Sequence, residues 1–305
     1  MTLHDQTWNP ILADIHPDLQ KLNETFLFEI TRAMALPQTE TFRSVVRLMF
    51  GRATQKFSEL VLDLDDEVGR KGSAEGARWL LRHFVSRHEA SGTELIPNEG
   101  PLIIASNHPA SYDGMVISAH VPRPNYKIMI GEISPYRYLP NISKHAIFSP
   151  NVKNTFGRMQ TVRNAIRHLK EGGALLIFPR GNIEPDPAFM PNPDAEFNQW
   201  SHSLEIFIRS VPQTRVLITT VSGVISKKIM NHPITWFRKS RADKQRLAFI
   251  YQIICQTLSG SELFGLKSYV TFGELLANAS HDNILAEIEQ AARRTLSKHL
   301  STYHS

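Results

Sequence analysis

Cysteine is almost absent from this sequence: Cys255 is the one cysteine in 305 residues. A single thiol excludes an intramolecular disulfide framework and any metal site built from clustered cysteines. The first residues, MTLHDQTWNPILADIHPD, lack a basic start followed by an apolar run, so a secretory signal is not expected. These absences favour a reducing compartment, and we expect the protein in the cytoplasm.

Long apolar runs are missing as well. The most apolar stretches, PLIIA at 101–105 and ALLIF at 174–178, are much shorter than the roughly 18 residues that a membrane-spanning helix needs. Hydrophobic residues nevertheless make up 42% of the chain and charged residues 21%, an ordinary composition for a folded protein with a sizeable core. The expectation is a protein that is soluble or lies on a membrane surface without crossing it.

Positive charge is unevenly distributed. Residues 1–70 carry 7 Lys/Arg and 11 Asp/Glu, whereas residues 71–305 carry 27 and 18, and residues 121–180 alone contain ten Lys/Arg with only two acids. Such a positive field attracts nucleic acid, acidic lipid or a phosphorylated cofactor, and charge alone does not choose among them. No RNA-binding motif accompanies the charge, so we expect no nucleic-acid partner.

The apolar pattern divides the chain into two parts. Residues 1–90 are predicted to be an N-terminal helical segment, because apolar residues recur at helical spacing over 17–36, 39–64 and 73–89. Beyond this segment, short apolar runs alternate with amphipathic helical stretches. Continuous apolar runs separated by helices favour an α/β fold with a largely parallel central sheet flanked by helices.

The individual elements of the second part follow from the same pattern. The predicted strands are 101–106, 126–130, 174–179, 215–223 and 267–273, and the predicted helices are 157–173, 201–211, 247–258 and the C-terminal 284–300. Residues 182–199 contain four prolines and are predicted to be a loop.

The run SNHPASYDG, at residues 106–114, directly follows a predicted strand. In α/β folds ligands lie at the carboxyl ends of parallel strands, so His108 stands where chemistry is expected. Asp113, five residues later, can fold back onto the imidazole and leave its other nitrogen free to take a proton from the hydroxyl of a bound acceptor. In the competing interpretation His108 merely packs or caps and Asp113 is a loop acid, since the H-x-x-x-x-D spacing alone is unspecific.

Three blocks of the sequence resemble, in order, those of the glycerol-3-phosphate and lysophosphatidate acyltransferase superfamily. Residues 94–114 resemble its first block, a strand leading into N-H-x-x-x-x-D. Residues 168–182, HLKEGGALLIFPRGN, resemble its third block, a strand followed by F-P-E-G, and residues 268–275, SYVTFGEL, resemble its closing strand. Three matches in order are more specific than one, and residues 91–305 are therefore predicted to be the acyltransferase domain.

The resemblance implies an O-acyltransferase of phospholipid biosynthesis, similar to 1-acylglycerol-3-phosphate O-acyltransferases. It would move a fatty acyl group from acyl-CoA or acyl carrier protein to the hydroxyl of a glycerol-phosphate or lysophospholipid acceptor, with no cofactor and no metal. His108 would be the general base, and Asp113 would orient it. The implied substrate-binding residues lie in the matching blocks and beside them: Asn107, Ser111, Lys153, Arg158, Phe178, Pro179, Arg180, Gly181 and Asn182.

The third block departs from the family at two positions. Arg180 stands where the family has glutamate, and Ile183 stands where it has arginine. One interpretation is that Arg180 replaces the missing arginine as a phosphate ligand, because a guanidinium fits phosphate oxygens well. The others are a changed acceptor specificity, or a non-catalytic lipid- or acyl-carrier-binding relative of the same fold. The family's second block, an Ile-Phe strand followed by an arginine, is only half present as Ala146-Ile147-Phe148, and Lys153 or Arg158 would supply the positive charge.

Residues 227–246 place Trp236 and Phe237 among seven cationic side chains. Aromatic and basic residues together are typical of a site that binds an anionic membrane surface, so we expect peripheral association with the membrane. The alternative is a solvated loop.

A third functional class, a metal-dependent hydrolase with His108 and Asp113 as ligands, is less favoured. It would need further ligands at metal-like spacing, and the other twelve histidines form no such cluster in the sequence.

Overall fold

The structure, a computed structural model, describes residues 17–131, 134–150, 154–200, 203–277 and 283–304. Its helices are α1 (Pro17–Ala33), α2 (Glu40–Lys71), α3 (Ser73–Phe84), α4 (Asp113–Ser118), α5 (Pro140–Lys144), α6 (Thr155–Lys170), α7 (Ser203–Ser210), α8 (Lys227–Met230), α9 (Arg241–Ser259) and α10 (Ile284–Tyr303). Its strands are β1 (Arg87–Ser91), β2 (Leu102–Ser106), β3 (Tyr126–Gly131), β4 (Ala146–Ser149), β5 (Ala174–Ile177), β6 (Arg215–Ser222) and β7 (Lys267–Leu276).

The strands form one sheet in the order β1-β7-β6-β2-β5-β3-β4. Neighbouring strands run parallel except β6 and β7, which are antiparallel. Helices cover both faces, so the predicted α/β fold with a largely parallel sheet and an N-terminal helical segment is confirmed.

The central strand β2 is buried at all five of its residues. Leu102 and Ile104 belong to a core shared with α2, α3, α4 and α9 on one face, whereas Ile103 and Ala105 belong to a core shared with α6, α7 and α10 on the other. A strand covered on both faces is apolar at successive positions instead of alternating, which is why this run was recognisable in the sequence.

The first and third N-terminal helices end earlier than predicted, whereas α2 continues to Lys71, beyond the predicted end at residue 64. Helix α3 stops at Phe84, and the chain then enters the edge strand β1, where the main-chain N–H of Ser86 donates to the oxygen of Leu266. Strand β1 pairs with β7, a segment about 180 residues later, and no local periodicity reveals such a partner. The division of the chain at residue 90 stays a prediction.

The predicted loop at 182–199 is held across the end of β6 by a buried acid. Asp186 is fully buried, and its carboxylate accepts hydrogen bonds from the main-chain N–H groups of Gly223, Val224 and Ile225 at 2.9–3.3 Å. Gly223 has φ +70°, and a Cβ there would lie 2.0 Å from the oxygen of Lys267. A glycine is therefore required at the turn that aims these N–H groups at Asp186.

Among the described residues, no helix combines the length and the apolar character that crossing a bilayer requires.

Candidate active site

The sequence-predicted site residues lie beyond the carboxyl ends of neighbouring parallel strands. His108 follows β2, and residues 178–182 follow β5, which pairs with β2. Chain segments that leave adjacent parallel strands at the same end share one crevice, the usual position of ligands in this fold class.

His108 and Asp113 form the expected pair. The imidazole Nδ1 lies 2.8 Å from Asp113 Oδ2, and the carboxylate can only accept, so Nδ1–H is the donor. The other nitrogen, Nε2, has no hydrogen bond to any described residue, and 24% of the side chain is exposed. The ring is therefore fixed in the tautomer whose Nε2 can accept a proton.

Asp113 is fixed by the backbone that surrounds it. It is the first residue of α4 and is fully buried, and its two oxygens also accept from the N–H groups of Gly114 at 2.7 Å and Ala110 at 3.2 Å. These bonds hold the Asp113 carboxylate in place beside the His108 imidazole.

The surroundings of His108 favour its charged form. Burial alone would lower the pKa of the imidazole, but the Asp113 carboxylate, with Glu184 farther off, outweighs burial and raises the pKa above its ordinary value. Arg246 on α9 acts in the opposite direction and lowers it. The imidazole is therefore a stronger base than a free histidine side chain.

A tight turn after β5 brings Phe178 and Arg180 to the site. Pro179 and Gly181 occupy the second and fourth positions of a turn that the Gly181 N–H closes on the Phe178 oxygen at 3.0 Å, a pattern typical of a type I turn. The Phe178 ring stacks on the His108 imidazole with 4.4 Å between centroids. Arg180 therefore stands at the corner of the turn, beside the ring that packs on His108.

Arg180 is paired with an acid that the sequence did not point to. Its Nε lies 3.1 Å from Glu196 Oε2, and the other oxygen of Glu196 accepts from Arg241 on α9. Arg241 also donates to the main-chain oxygen of Ile183 at 2.9 Å. Two guanidinium groups share one carboxylate here, so the cluster of these three charged side chains keeps a net positive charge.

The remaining predicted substrate-binding residues differ in burial and in their place in the fold. Asn107 is buried and uses both ends of its amide on the main chain of Val221, which joins β2 to β6. Ser111 and Asn182 are exposed near the pair, and Arg158 is exposed on the first turn of α6. Lys153 lies outside the described residues.

Sequence reasoning missed Glu184, which lies directly behind His108. Its carboxylate accepts from the His108 main-chain N–H, and it is held in turn by Trp200 and Gln245. The one sequence signal was its position in the proline-bracketed run N-I-E-P-D-P, where a loop carries two acids.

Among the described residues, no group of three or more His, Cys, Asp or Glu side chains is arranged to hold a metal ion.

Comparison with known proteins finds a family match and similar solved structures. Residues 87–200 match a family model described as Acyltransferase. Among solved structures, the chain is similar to the 1-acyl-sn-glycerophosphate (LPA) acyltransferase PlsC from Thermotoga maritima, with 16% identity, a TM-score of 0.47, and coverage of 94% of this chain and 97% of that chain. So low a TM-score and identity add no independent support. No curated protein matches the chain.

Proposed function

We propose that this chain, whose residues 87–200 match a family model described as Acyltransferase, transfers a fatty acyl group from an acyl thioester to the hydroxyl of a phosphate-bearing glycerolipid acceptor in phospholipid biosynthesis. The observation that carries the proposal is the His108–Asp113 pair, which is fixed at 2.8 Å beyond the central strand and leaves Nε2 unbonded among the described residues. A glycerol phosphate or a lysophospholipid would be the acceptor.

In the proposed reaction, His108 Nε2 takes the proton of the acceptor hydroxyl while the oxygen attacks the thioester carbonyl. Asp113 accepts from Nδ1–H throughout and stabilises the imidazolium that forms. Collapse of the tetrahedral intermediate breaks the carbon–sulfur bond, and the imidazolium returns its proton to the departing thiolate. The products are the acylated acceptor and the free thiol carrier, and the histidine is neutral again.

The acceptor's phosphate would bind to Arg180, with Arg241 close by. Both guanidinium groups contact Glu196, and their net positive charge lies next to the turn that packs on His108. Charge-assisted contacts between guanidinium and phosphate are strong and are often bidentate. Arg180 would thus replace the arginine that the family carries at position 183.

The donor would be acyl-CoA or acyl carrier protein, both of which present phosphate to a basic surface. The basic stretch 121–180 supports either carrier, and Arg158 is one of its exposed members. Arg123, in contrast, is buried and donates to three main-chain oxygens, so it belongs to the fold and not to this surface.

The acceptor and product are lipids, and we extend the proposal to peripheral association with an anionic membrane. Trp236 and Phe237 are 74% and 77% exposed, with Lys227, Lys228 and Lys239 exposed in the same segment. Exposed aromatic rings among cations are suited to the headgroup region of a bilayer. A second group of exposed apolar side chains lies on α1 and α2: Phe28, Phe42, Val45, Leu48 and Met49.

The second candidate is a non-catalytic lipid- or acyl-carrier-binding protein. It is favoured by the two departures of the third block, since Arg180 replaces a glutamate and is itself paired with Glu196. It leaves the ordered His108–Asp113 pair without a role.

One experiment separates these functions. Release of free thiol from a long-chain acyl-CoA and from the matching acyl carrier protein would be followed with glycerol 3-phosphate and a panel of lysophospholipids. Thiol release that depends on a phosphate-bearing acceptor supports the proposal. Binding of the thioester without release under any acceptor would overturn it in favour of the non-catalytic candidate.

A further inference from the structure

The main chain of His108 is held by a single residue from another segment. The His108 N–H donates to Glu184 Oε2 at 2.9 Å, and the Glu184 N–H donates back to the His108 oxygen at 2.8 Å. These two bonds satisfy both main-chain groups of the histidine. The position of the imidazole therefore depends on Glu184 as directly as its orientation depends on Asp113.

The second oxygen of Glu184 has its own donor. Trp200 Nε1–H lies 3.0 Å from Oε1, and the Glu184 side chain is fully buried. Two N–H groups from separate segments thus point at the two carboxylate oxygens. An ionised carboxylate accepts both, whereas an amide has one acceptor oxygen and cannot.

Helix α9 fixes the segment from behind. Gln245 Nε2 donates to the main-chain oxygens of Glu184 at 2.8 Å and Pro109 at 3.1 Å. Pro109 directly follows His108, so one side chain joins the two segments that carry His108 and Glu184. We call the bonds from Glu184 to the His108 main chain, with the supporting bonds from Trp200 and Gln245, the clamp. The clamp is part of a buried network and does not depend on a surface contact.

Charged side chains from several segments surround His108 and Glu184. Glu184 faces His108 and Glu196, and His108 faces Asp113, Glu184 and Arg246. Burial raises the pKa of Glu184 to about 7, although the bonds from Trp200 and His108 lower it. Glu184 in turn raises the pKa of the His108 imidazole, so the two groups influence each other's titration.

We propose that Glu184 is a positioning residue for the His108–Asp113 pair and holds that pair in place only as a carboxylate. It touches no substrate. It fixes the main chain that carries the base, and its negative charge favours the protonated imidazole. The inference deepens the acyl transfer proposed above, but its first test does not require turnover.

The first test is the pKa of His108, measured by NMR on histidine-labelled protein without substrate. The His108 signal is assigned by its loss in His108→Ala. In Glu184→Gln the His108 pKa should fall by at least about half a unit, because a nearby negative charge is removed. Glu289→Gln, which removes a half-buried acid of α10 that is paired with Arg293, is the matched control and should leave the pKa unchanged.

The second test is kinetic. Glu184→Gln should lower kcat by about tenfold or more, since a small misplacement of the base is costly, while the KM for acceptor changes little. In the pH–rate profile of Glu184→Gln, the fall in residual activity on the acid side (the acid limb) should move to lower pH. Trp200→Phe keeps the carboxylate but removes one donor, which raises the Glu184 pKa, so its acid limb should move to higher pH.

The outcomes distinguish the proposed role of Glu184 from the proposed acyl-transfer function. An unchanged His108 pKa in folded Glu184→Gln overturns this inference whether or not the protein transfers acyl groups. A fallen His108 pKa with no turnover in the wild type leaves the clamp standing and removes the acyl-transfer function. If Glu184→Gln does not fold, an unmoved acid limb in Trp200→Phe overturns the inference, and a limb at higher pH supports it.

Discussion

Two histidine clusters lie near the same end of the sheet and differ in what surrounds the imidazole. His108 bonds to the Asp113 carboxylate and is 24% exposed. His299 on α10 is fully buried, with Thr271 Oγ1 2.8 Å from Nδ1 and Ser222 Oγ 2.7 Å from Nε2. Both rings are well ordered, but only His108 leaves a nitrogen without a partner in the described residues.

The difference in partners shifts the pKa values of the two histidines in opposite directions. Asp113 raises the pKa of His108 despite burial, whereas burial with only hydroxyl partners lowers the pKa of His299 to about 3. His304, which bonds to the same Ser222 hydroxyl, also has a lowered pKa because of burial. A histidine becomes a usable base here through a carboxylate and an open nitrogen, and burial alone makes it a neutral structural group.

The largest expected effect comes from giving His108 a neutral partner, as His299 has. In Asp113→Asn the amide oxygen can keep the bond from the Gly114 N–H, which turns the NH2 group towards His108 Nδ1 and forces the proton onto Nε2. We expect kcat to fall by about 10²–10⁴ and the acid limb of the residual activity to move below the wild-type value. The pH dependence of kcat/KM measures both, and an unchanged acid limb would contradict the assigned role of Asp113.

The second prediction concerns the loss of folding stability at acid pH that His299 causes. Its folded-state pKa is lowered, so the unfolded chain takes up a proton below about 6.5 while the folded protein does not, and stability is lost as the pH falls. Between pH 7.5 and pH 5 the loss is about 2 kcal/mol for this one group. His299→Gln should show a smaller loss than the wild type in urea unfolding at the two pH values. Equal losses in both proteins would show that His299 is not kept neutral by the fold.

The third prediction concerns the positive charge of Arg180, which lies beside His108 and which the His299 cluster lacks. Arg180→Ala should raise the KM for a phosphate-bearing acceptor by about 10–150-fold, which corresponds to a charge-assisted bond of about 1.5–3 kcal/mol. Arg180→Lys should recover part of the loss, because an ammonium lacks the planar fork. The control is Arg294→Ala, which removes an exposed arginine of α10. An unchanged acceptor KM in Arg180→Ala, or better use of the acceptor by Arg180→Glu, would place the phosphate elsewhere.

The smallest expected effect is at the proposed membrane surface. Arg238 and Arg241 are already paired with Asp243 and Glu196, so the exposed cations to remove are Lys227, Lys228 and Lys239. Each should contribute about 1 kcal/mol to binding of anionic vesicles, and salt should release the protein. Sedimentation with vesicles would measure the loss in the triple Ser variant, with Lys298→Ser as control. Equal binding to neutral vesicles at high salt would exclude an electrostatic contribution.

The sequence predicted the parts of the site that depend on neighbouring residues. The buried strand before His108 and the fold-back of Asp113 are both encoded within a few positions, whereas Pro179 was predicted to be in a strand and lies in a turn. The resemblance to a known family then implied the roles of these residues. The edge strand at Arg87–Ser91 was read as helix, because its pairing partner lies far along the chain.

The missed parts of the site depend on contacts between distant segments. Glu184 meets His108 across 76 positions, and Arg241 meets Glu196 across 45. Arg241 was therefore assigned to a membrane surface from its basic neighbourhood, while the structure pairs it with Glu196 beside Arg180. Single-sequence patterns report local periodicity and charge, and neither indicates which acid a given arginine faces.

The central claim, that His108 is the general base for acyl transfer, is tested most directly by acceptor-dependent thiol release from His108→Ala. The variant should fold, because the side chain is partly exposed and its main-chain bonds to Glu184 remain. We predict that kcat falls by about 10²–10⁴ relative to the wild type, while the acceptor KM changes little. Turnover close to the wild-type rate in the folded variant would contradict the account.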